Sequence, residues 1–266
     1  MEPAAVGLAG FLTGSNMLPP IVKPIREKFE ELLAQSNCFD YYGMERGGHF
    51  AVLRWALAAC PPPAVALLRC STHRPGLMWG HPGGWFRSGG AAPKSAGLVY
   101  GADVDIEDTP SRITDGRKVV LCVRDIRNML SSRLRWNRRR RWQFQVSRAA
   151  TATWKKYAEH AVGDRNYFNC PSLSIVYDKW FTSSDYRAEI AAKAGTVFGW
   201  DWKDTGLPDV VPLAQGSSFD ELKFKDKPQQ MQVTNRWKDI EDENFVNELL
   251  TSEILALNER LINGVQ

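Results

Sequence analysis

Two patterns of apolar residues alternate along the chain: short unbroken apolar runs, and longer segments in which apolar residues recur every three or four positions. The clearest run, residues 119 to 123, has no polar alternation, which is typical of a strand buried on both faces of a parallel sheet. The predicted strands are Phe39–Met44, Leu98–Ile106, 118–123 and Ser172–Tyr177. The predicted helices are 20–36, His49–Cys60, a helix opening after Arg124, 142–161, Asp185–Ala194 and, in two parts, Glu241–Leu261.

These elements indicate an α/β fold with a mainly parallel sheet. With 266 residues, 44% of them apolar, the chain is long enough to bury one large core. We predict an N-terminal helical extension at 1–37 and a single α/β domain at 38–266. An irregular insertion is expected at 61–97, which opens with three consecutive prolines and is rich in glycine. Long loops of this kind often cover substrates.

Charge is distributed unevenly along the chain. The 34 basic residues barely outnumber the 30 acidic ones, so the net charge of +4 implies that any positive site is local. Six arginines and no carboxylate lie between Arg133 and Arg141, interleaved with Trp136 and followed by Trp142. Three interpretations stay open for this run: a nucleic-acid groove with stacking tryptophans, a clamp for an anionic acceptor, or a solvated helix end.

The cysteine spacing and the N-terminal sequence indicate neither a metal site nor a membrane span. The five cysteines have no CxxC or Cys/His ligand spacing, so we expect reduced thiols and no metal site. Cys122 lies within the buried strand and is interpreted as a packing residue. The N-terminal stretch is apolar, but it lacks the basic region of a signal peptide and is too short to cross a bilayer. We therefore expect a cytoplasmic protein without a membrane span.

Two segments have the residue pattern of an anion site. Arg124 directly follows the strand at 118–123, at the sheet edge where open α/β folds bind ligands, and Ser132 lies two helical turns further on. Earlier in the chain, a strand leads through Gly43, Gly47 and Gly48 into a helix, which is the architecture of a phosphate cradle. The nucleoside triphosphatase pattern GxxxxGK[ST] does not occur in the sequence, so no magnesium-nucleotide cradle is indicated.

In this order along the chain, these segments resemble those of sulfotransferases that use 3′-phosphoadenosine 5′-phosphosulfate (PAPS), especially the bacterial and viral type. Residues 43–55 resemble the 5′-phosphosulfate loop, and Arg124 with Ser132 resembles the 3′-phosphate pair, although Ile126 stands where the family has proline. The run from Tyr177 to Phe181 is similar to a family strand end. Gly216–Phe219 and Arg236-Trp237-Lys238 are similar to the loop that closes over the cofactor.

The resemblance implies a P-loop-type three-layer sandwich, with a central, mainly parallel sheet flanked by helices, and PAPS as co-substrate without a metal. The residues that it implies for cofactor binding are Arg46, Gly47, Gly48, His49, Phe50, Arg124, Ser132, Ser217, Arg236, Trp237 and Lys238. The phosphosulfate loop departs from the family because Gly47 replaces a serine, and His49 and Phe50 replace two threonines. Backbone N–H groups and the helix dipole would then do more of the binding.

The resemblance implies transfer of a sulfuryl group to a hydroxyl or amine of a small-molecule or glycan acceptor, and an anionic glycan would fit the arginine run. The reaction needs a base for the acceptor proton and a cation beside the leaving phosphate. Glu107 is the preferred base, with His81 and His49 as alternatives, and Arg46 is the cation. Two other functions remain open, a nucleic-acid-binding protein using Arg133–Arg141 and a nucleotide-binding homologue with impaired catalysis. The oligomeric state is open as well.

Overall fold

The computed structural model describes residues 37–44, 46–60, 64–68, 100–102, 106, 118–139, 146–209, 220, 223–224, 226–240 and 244–264. Several predictions fall outside these residues, namely the helix at 20–36 and the site residues Glu107, His81 and Ser217. No helix among the described residues is both long enough and apolar enough to cross a membrane.

A parallel sheet forms the centre of the described structure. Its strands are β1 (Asn37–Gly43), β2 (Ala64–Leu68), β3 (Tyr100–Ala102), β4 (Lys118–Val123) and β5 (Ser172–Val176). The order is β2-β1-β4-β5, and β3 also pairs with β1. Every pair that is described is parallel, including the five-residue register that aligns Val119 with Ser172 and Val123 with Val176. The α/β class and the parallel sheet are therefore confirmed.

In the part of the chain that the structure describes, the α-helices are α1 (His49–Ala59), α2 (Ile126–Arg139), α3 (Arg148–Val162), α4 (Tyr177–Thr182), α5 (Ser184–Phe198), α6 (Asn244–Leu249) and α7 (Ser252–Asn263). Two short 3-10 helices, Pro228–Gln230 and Arg236–Ile240, precede α6. The long helices begin at side-chain caps, as expected for helices whose first N–H groups need acceptors: Ser147 caps α3, Ser183 caps α5 and Thr251 caps α7.

Successive residues of β4 point to opposite faces of the sheet and enter two separate apolar clusters. Val120 and Cys122 pack with residues of α1, α4 and α5, whereas Val119, Leu121 and Val123 pack with residues of α2, α3, α6 and α7. Helices therefore cover both faces of the sheet. This burial explains why the strand is apolar at every position from 119 to 123.

Several predicted boundaries differ from the structure. Ala64–Leu68 is a strand although it lies in the segment predicted to be irregular, because a five-residue apolar run suffices for a strand in a parallel sheet. In the described part of 98–106, the strand covers only Tyr100–Ala102, and Ile106 lies in a bend. Helix α3 begins at Arg148 rather than 142, since Ser147 caps it. Tyr177 opens a helix instead of ending β5, and α5 continues to Phe198.

Candidate functional site

The candidate site lies where β1, β4 and β5 end. Because the three strands are parallel, their carboxyl ends meet at one edge of the sheet. Three segments start there: the loop 44–48 after β1, Arg124 and Asp125 after β4, and Tyr177 with Asp178 after β5. The structure thus brings together the first three sequence segments that resemble the sulfotransferase motifs.

The loop after β1 makes a tight turn into α1. The Gly47 N–H donates to the Met44 carbonyl at 2.9 Å, and Arg46 and Gly48 have positive φ values of 63° and 77°. A Cβ at Gly48 would lie 2.1 Å from the Tyr177 ring, so only glycine fits between the loop and α4. Gly48 caps α1 without a side-chain hydrogen bond, in contrast to the caps of α3, α5 and α7.

His49 stabilises this loop through two hydrogen bonds. Its Nδ1 lies 2.6 Å from the Met44 carbonyl and therefore carries the proton, and its own carbonyl accepts a hydrogen bond from the Tyr41 hydroxyl at 2.7 Å. Burial lowers the pKa of His49 to about 3, and the charges of Arg46 and Arg133 act in the same direction. A neutral imidazole with so low a pKa is a weak base at neutral pH, and we interpret His49 as structural.

Arg124 holds two chain segments together. One terminal nitrogen donates to the Arg46 carbonyl at 3.1 Å and the other donates to the Val233 carbonyl at 2.9 Å. The guanidinium lies 4.8 Å above the Tyr177 ring and is only 3% exposed. The predicted phosphate ligand is therefore at the expected sheet edge, but its two terminal nitrogens are bound to backbone oxygens.

Asp178 lies beside Arg124 and was not among the predicted site residues. Its Oδ2 accepts from the Asp125 N–H at 2.7 Å, and its Oδ1 lies 3.8 Å from the Arg124 Nε. Neither Oδ1 nor Nε has a hydrogen-bond partner among the described residues. Burial raises the pKa of Asp178 to about 6, although the charge of Arg124 opposes the shift. The position of Asp178 directly after an apolar run is the signal that could have identified it.

The N-terminus of α2 is closed by side chains. The Asp125 Oδ1 accepts from the Asn128 N–H at 2.7 Å, as an N-cap does. From α7, Asn258 accepts from the Ile126 N–H at 3.0 Å through its oxygen and donates to the Asp125 Oδ2 at 2.7 Å through its nitrogen. This helix end is therefore occupied by protein groups, and the sequence separation of Asn258 from α2 explains why no local pattern predicted it.

Side chains of α2 also bind the backbone of the segment 233–237. The Asn128 amide donates to the Thr234 carbonyl at 2.9 Å, and the Ser131 hydroxyl donates to the Arg236 carbonyl at 2.6 Å. Arg236 in turn is buried and forms an ion pair with Asp220. The segment thus lies along α2 beside Arg124, which agrees with the predicted grouping of Arg124 and Arg236.

The other predicted residues divide into two groups. Ser132 is 2% exposed on α2, about 9 Å along the helix axis from Ile126, and Phe50 packs on the His49 ring at 4.1 Å. Trp237 lies further out, beneath the guanidinium of Arg127 at 5.1 Å, and Lys238 is exposed next to it. Trp237 and Lys238 are thus more exposed than Arg236 and lie next to Arg127 of α2.

The arginine run is not one continuous surface. Arg133 is fully buried, whereas Arg138 is exposed and Trp136 packs against Arg46, with 4.4 Å between the guanidinium carbon and the ring centre. Arg140 and Arg141 lie outside the described residues. The run therefore contributes charge to the interior of the site as well as to the surface.

Arginines dominate the electrostatics of the loop and its neighbours. Arg46 and Arg133 lower the pKa of His49, while Arg124 and Arg236 favour ionisation of Tyr177, whose pKa burial raises. Such a concentration of cations at a sheet edge could bind an anion. Among the described residues, no group of three or more His, Cys, Asp or Glu side chains could bind a metal ion.

No protein-family model matches this chain, and no curated protein and no solved structure was found to be similar to it.

Proposed function

We propose that this protein is a sulfotransferase that moves a sulfuryl group from PAPS to a hydroxyl or amine acceptor. One observation carries the proposal: a glycine loop at the carboxyl edge of a parallel sheet leads into a helix without a side-chain cap. The charges of four arginines act on this region, those of Arg46 and Arg133 on His49 and those of Arg124 and Arg236 on Tyr177. The P-loop-type three-layer sandwich and the cytoplasmic location expected from the sequence are part of this proposal.

In the proposed site, the backbone around Gly48 and the start of α1 bind the 5′-phosphosulfate together with Arg46, and Arg124 with Ser132 binds the 3′-phosphate. Arg124 now donates to the carbonyls of Arg46 and Val233, so a bound phosphate would replace one of these acceptors. Hydrogen bonds from a guanidinium to an ionised phosphate are stronger than those to a neutral carbonyl, and this difference favours that exchange.

During transfer, a bond forms between the acceptor oxygen or nitrogen and sulfur, and the bond between sulfur and the bridging phosphate oxygen breaks. The acceptor proton passes to a base, for which Glu107 and His81 are the candidates, while Arg46 stabilises the charge on the leaving phosphate. His49 is the weaker candidate, because burial lowers its pKa to about 3. The proposed acceptor is a small molecule or a glycan. If the arginine run Arg133–Arg141 binds the acceptor, the acceptor is anionic.

A binding experiment with adenosine 3′,5′-bisphosphate, the product of PAPS, tests this function. We expect calorimetry to detect saturable binding, and ligand at about 100-fold its dissociation constant should add ~2.7 kcal/mol to the stability. Arg124→Ala and Ser132→Ala should largely abolish binding. Arg260→Ala, which removes an exposed ion pair with Asp164, should bind like the parent. Normal binding in both site variants, with folding confirmed by circular dichroism, would exclude this assignment.

The nucleotide-binding homologue with impaired catalysis is the second candidate. It is favoured by the loop itself, where Gly47, His49 and Phe50 offer no hydroxyl, and His49 is committed to the Met44 carbonyl. This alternative predicts binding of adenosine bisphosphate without transfer of labelled sulfate from PAPS to any acceptor of a hydroxyl and amine panel. Transfer to one acceptor would exclude it.

A further inference from the structure

The ion pair between Arg124 and Asp178 is incomplete. The Arg124 Nε and the Asp178 Oδ1 are 3.8 Å apart, which is a close approach of charges but too long for a hydrogen bond. Both atoms are buried, and neither has a hydrogen-bond partner among the described residues. The remaining nitrogens of Arg124 and the Oδ2 of Asp178 are bound to backbone groups. The charge of Asp178 therefore acts on Arg124 without fixing it through a hydrogen bond.

Other charged or titratable groups also surround Asp178. From β4 and the residues after it, Cys122, Arg124 and Asp125 face the carboxyl group, and Tyr177 precedes it on α4. Burial raises the pKa of the Cys122 thiol to about 12 and also raises the pKa of Tyr177. Both groups thus stay neutral at physiological pH.

The elements that pack against this pair add further groups. Arg236 in the segment 233–237 acts on Tyr177, and His49 in α1 is neutral because of its low pKa. From α7, Asn258 donates to the carboxyl group of Asp125 and accepts from the Ile126 N–H. Among the described residues, Asp125 is a second acidic side chain that acts on Asp178, and it must be controlled for.

We infer that Asp178 regulates the proposed anion site: when ionised it compensates the charge of Arg124, and when protonated it leaves that charge to the bound anion. This inference rests on the proposed function, and it adds that the affinity for the anion rises as the pH falls. A carboxylate next to the guanidinium repels a phosphate at the same position, and a neutral carboxyl group does not.

The titration of Asp178 occurs in an accessible pH range. Burial raises its pKa to about 6, so the group is largely ionised at pH 8 and largely protonated at pH 5. An anion at Arg124 favours the protonated form of Asp178. By linkage, the protonated protein must bind the anion more tightly.

The test compares the parent protein with Asp178→Asn at both pH values, using adenosine 3′,5′-bisphosphate and calorimetry. Asparagine resembles the protonated acid in shape, and its oxygen can still accept from the Asp125 N–H. We expect similar dissociation constants at pH 5 and about tenfold tighter binding by the variant at pH 8. Protonation of the nucleotide itself cancels in the ratio of the two proteins. Asp125→Asn is the matched control, and its ratio to the parent should not rise in this way.

Inorganic sulfate provides a measurement on the parent protein alone, in case Asp178→Asn does not fold. Sulfate remains a dianion from pH 5 to pH 8, so its dissociation constant should increase as the pH rises through about 6. A constant ratio between parent and Asp178→Asn, or a flat sulfate profile, would overturn the inference while leaving nucleotide binding intact. If neither anion binds at any pH, the proposed function fails as well.

Discussion

Replacing Gly48 by alanine should damage the loop in two separable ways. The backbone of Gly48 is left-handed, with φ 77° and ψ 5°, and this conformation costs an L-residue ~1–2 kcal/mol. The new Cβ would also lie 2.1 Å from the Tyr177 ring, which is buried and packs against Trp180 and Phe181. Overpacking of this kind typically costs ~1–3 kcal/mol. The expected loss of unfolding free energy is therefore ~2–5 kcal/mol.

Gly163→Ala is the matched control for the backbone term. Gly163, the C-terminal cap of α3, has nearly the same conformation, φ 84° and ψ 8°, but nothing lies within 4 Å of a Cβ at this position. Urea denaturation should therefore give a loss of only ~1–2 kcal/mol for the control. The difference between the two variants measures the contact with Tyr177. Equal losses would refute the reasoning that the ring is fixed against Gly48.

Two further predictions concern buried polar groups. Asn258→Ala should lower the unfolding free energy by ~2–4 kcal/mol, because it leaves the Ile126 N–H without an acceptor and removes a donor from Asp125. Asn263→Ala, at the exposed end of the same helix, should change the unfolding free energy by less than ~0.5 kcal/mol in the same denaturation series. A similar loss in the two variants would argue against the role of Asn258 at the start of α2. The imidazole signals of His49 should stay constant between pH 5 and pH 8 in nuclear magnetic resonance spectra, since burial lowers its pKa to about 3, and a titration in this range would contradict that burial.

The sequence predicted the central sheet well where burial leaves a local pattern. The strand at 118–123 is apolar at five successive positions because helices cover both of its faces, and the structure has it at Lys118–Val123. The long helix predicted at 142–161 begins later because a single serine, Ser147, decides where it starts. Short strands such as Tyr100–Ala102 leave too few residues for a pattern to define their ends.

The candidate site was predictable only in part, because some of its contacts come from distant positions in the chain. Arg124 directly follows β4, and Gly47 and Gly48 lie in the short loop after β1, so parallel pairing brings them to the same edge. Asp178 follows β5 in the same way, but an acidic residue at the start of a helix is so common that its role depends on Arg124 being nearby. Asn258 and Val233 reach the site from distant positions in the chain, and no local pattern contains such contacts.

The hydrogen bonds between Asn258 and the start of α2 also bear on the order in which the protein forms. They join residues 132 and 133 positions apart, so closing this loop is among the entropically costly steps of folding. A nascent chain leaves the ribosome with β4 and α2 long before residue 258 has been synthesised. Until α7 docks, the carboxyl group of Asp125 and the first N–H groups of α2 remain accessible to water. The start of α2, at the edge of the sheet that bears Arg124, therefore reaches its complete set of hydrogen bonds only once α7 has docked.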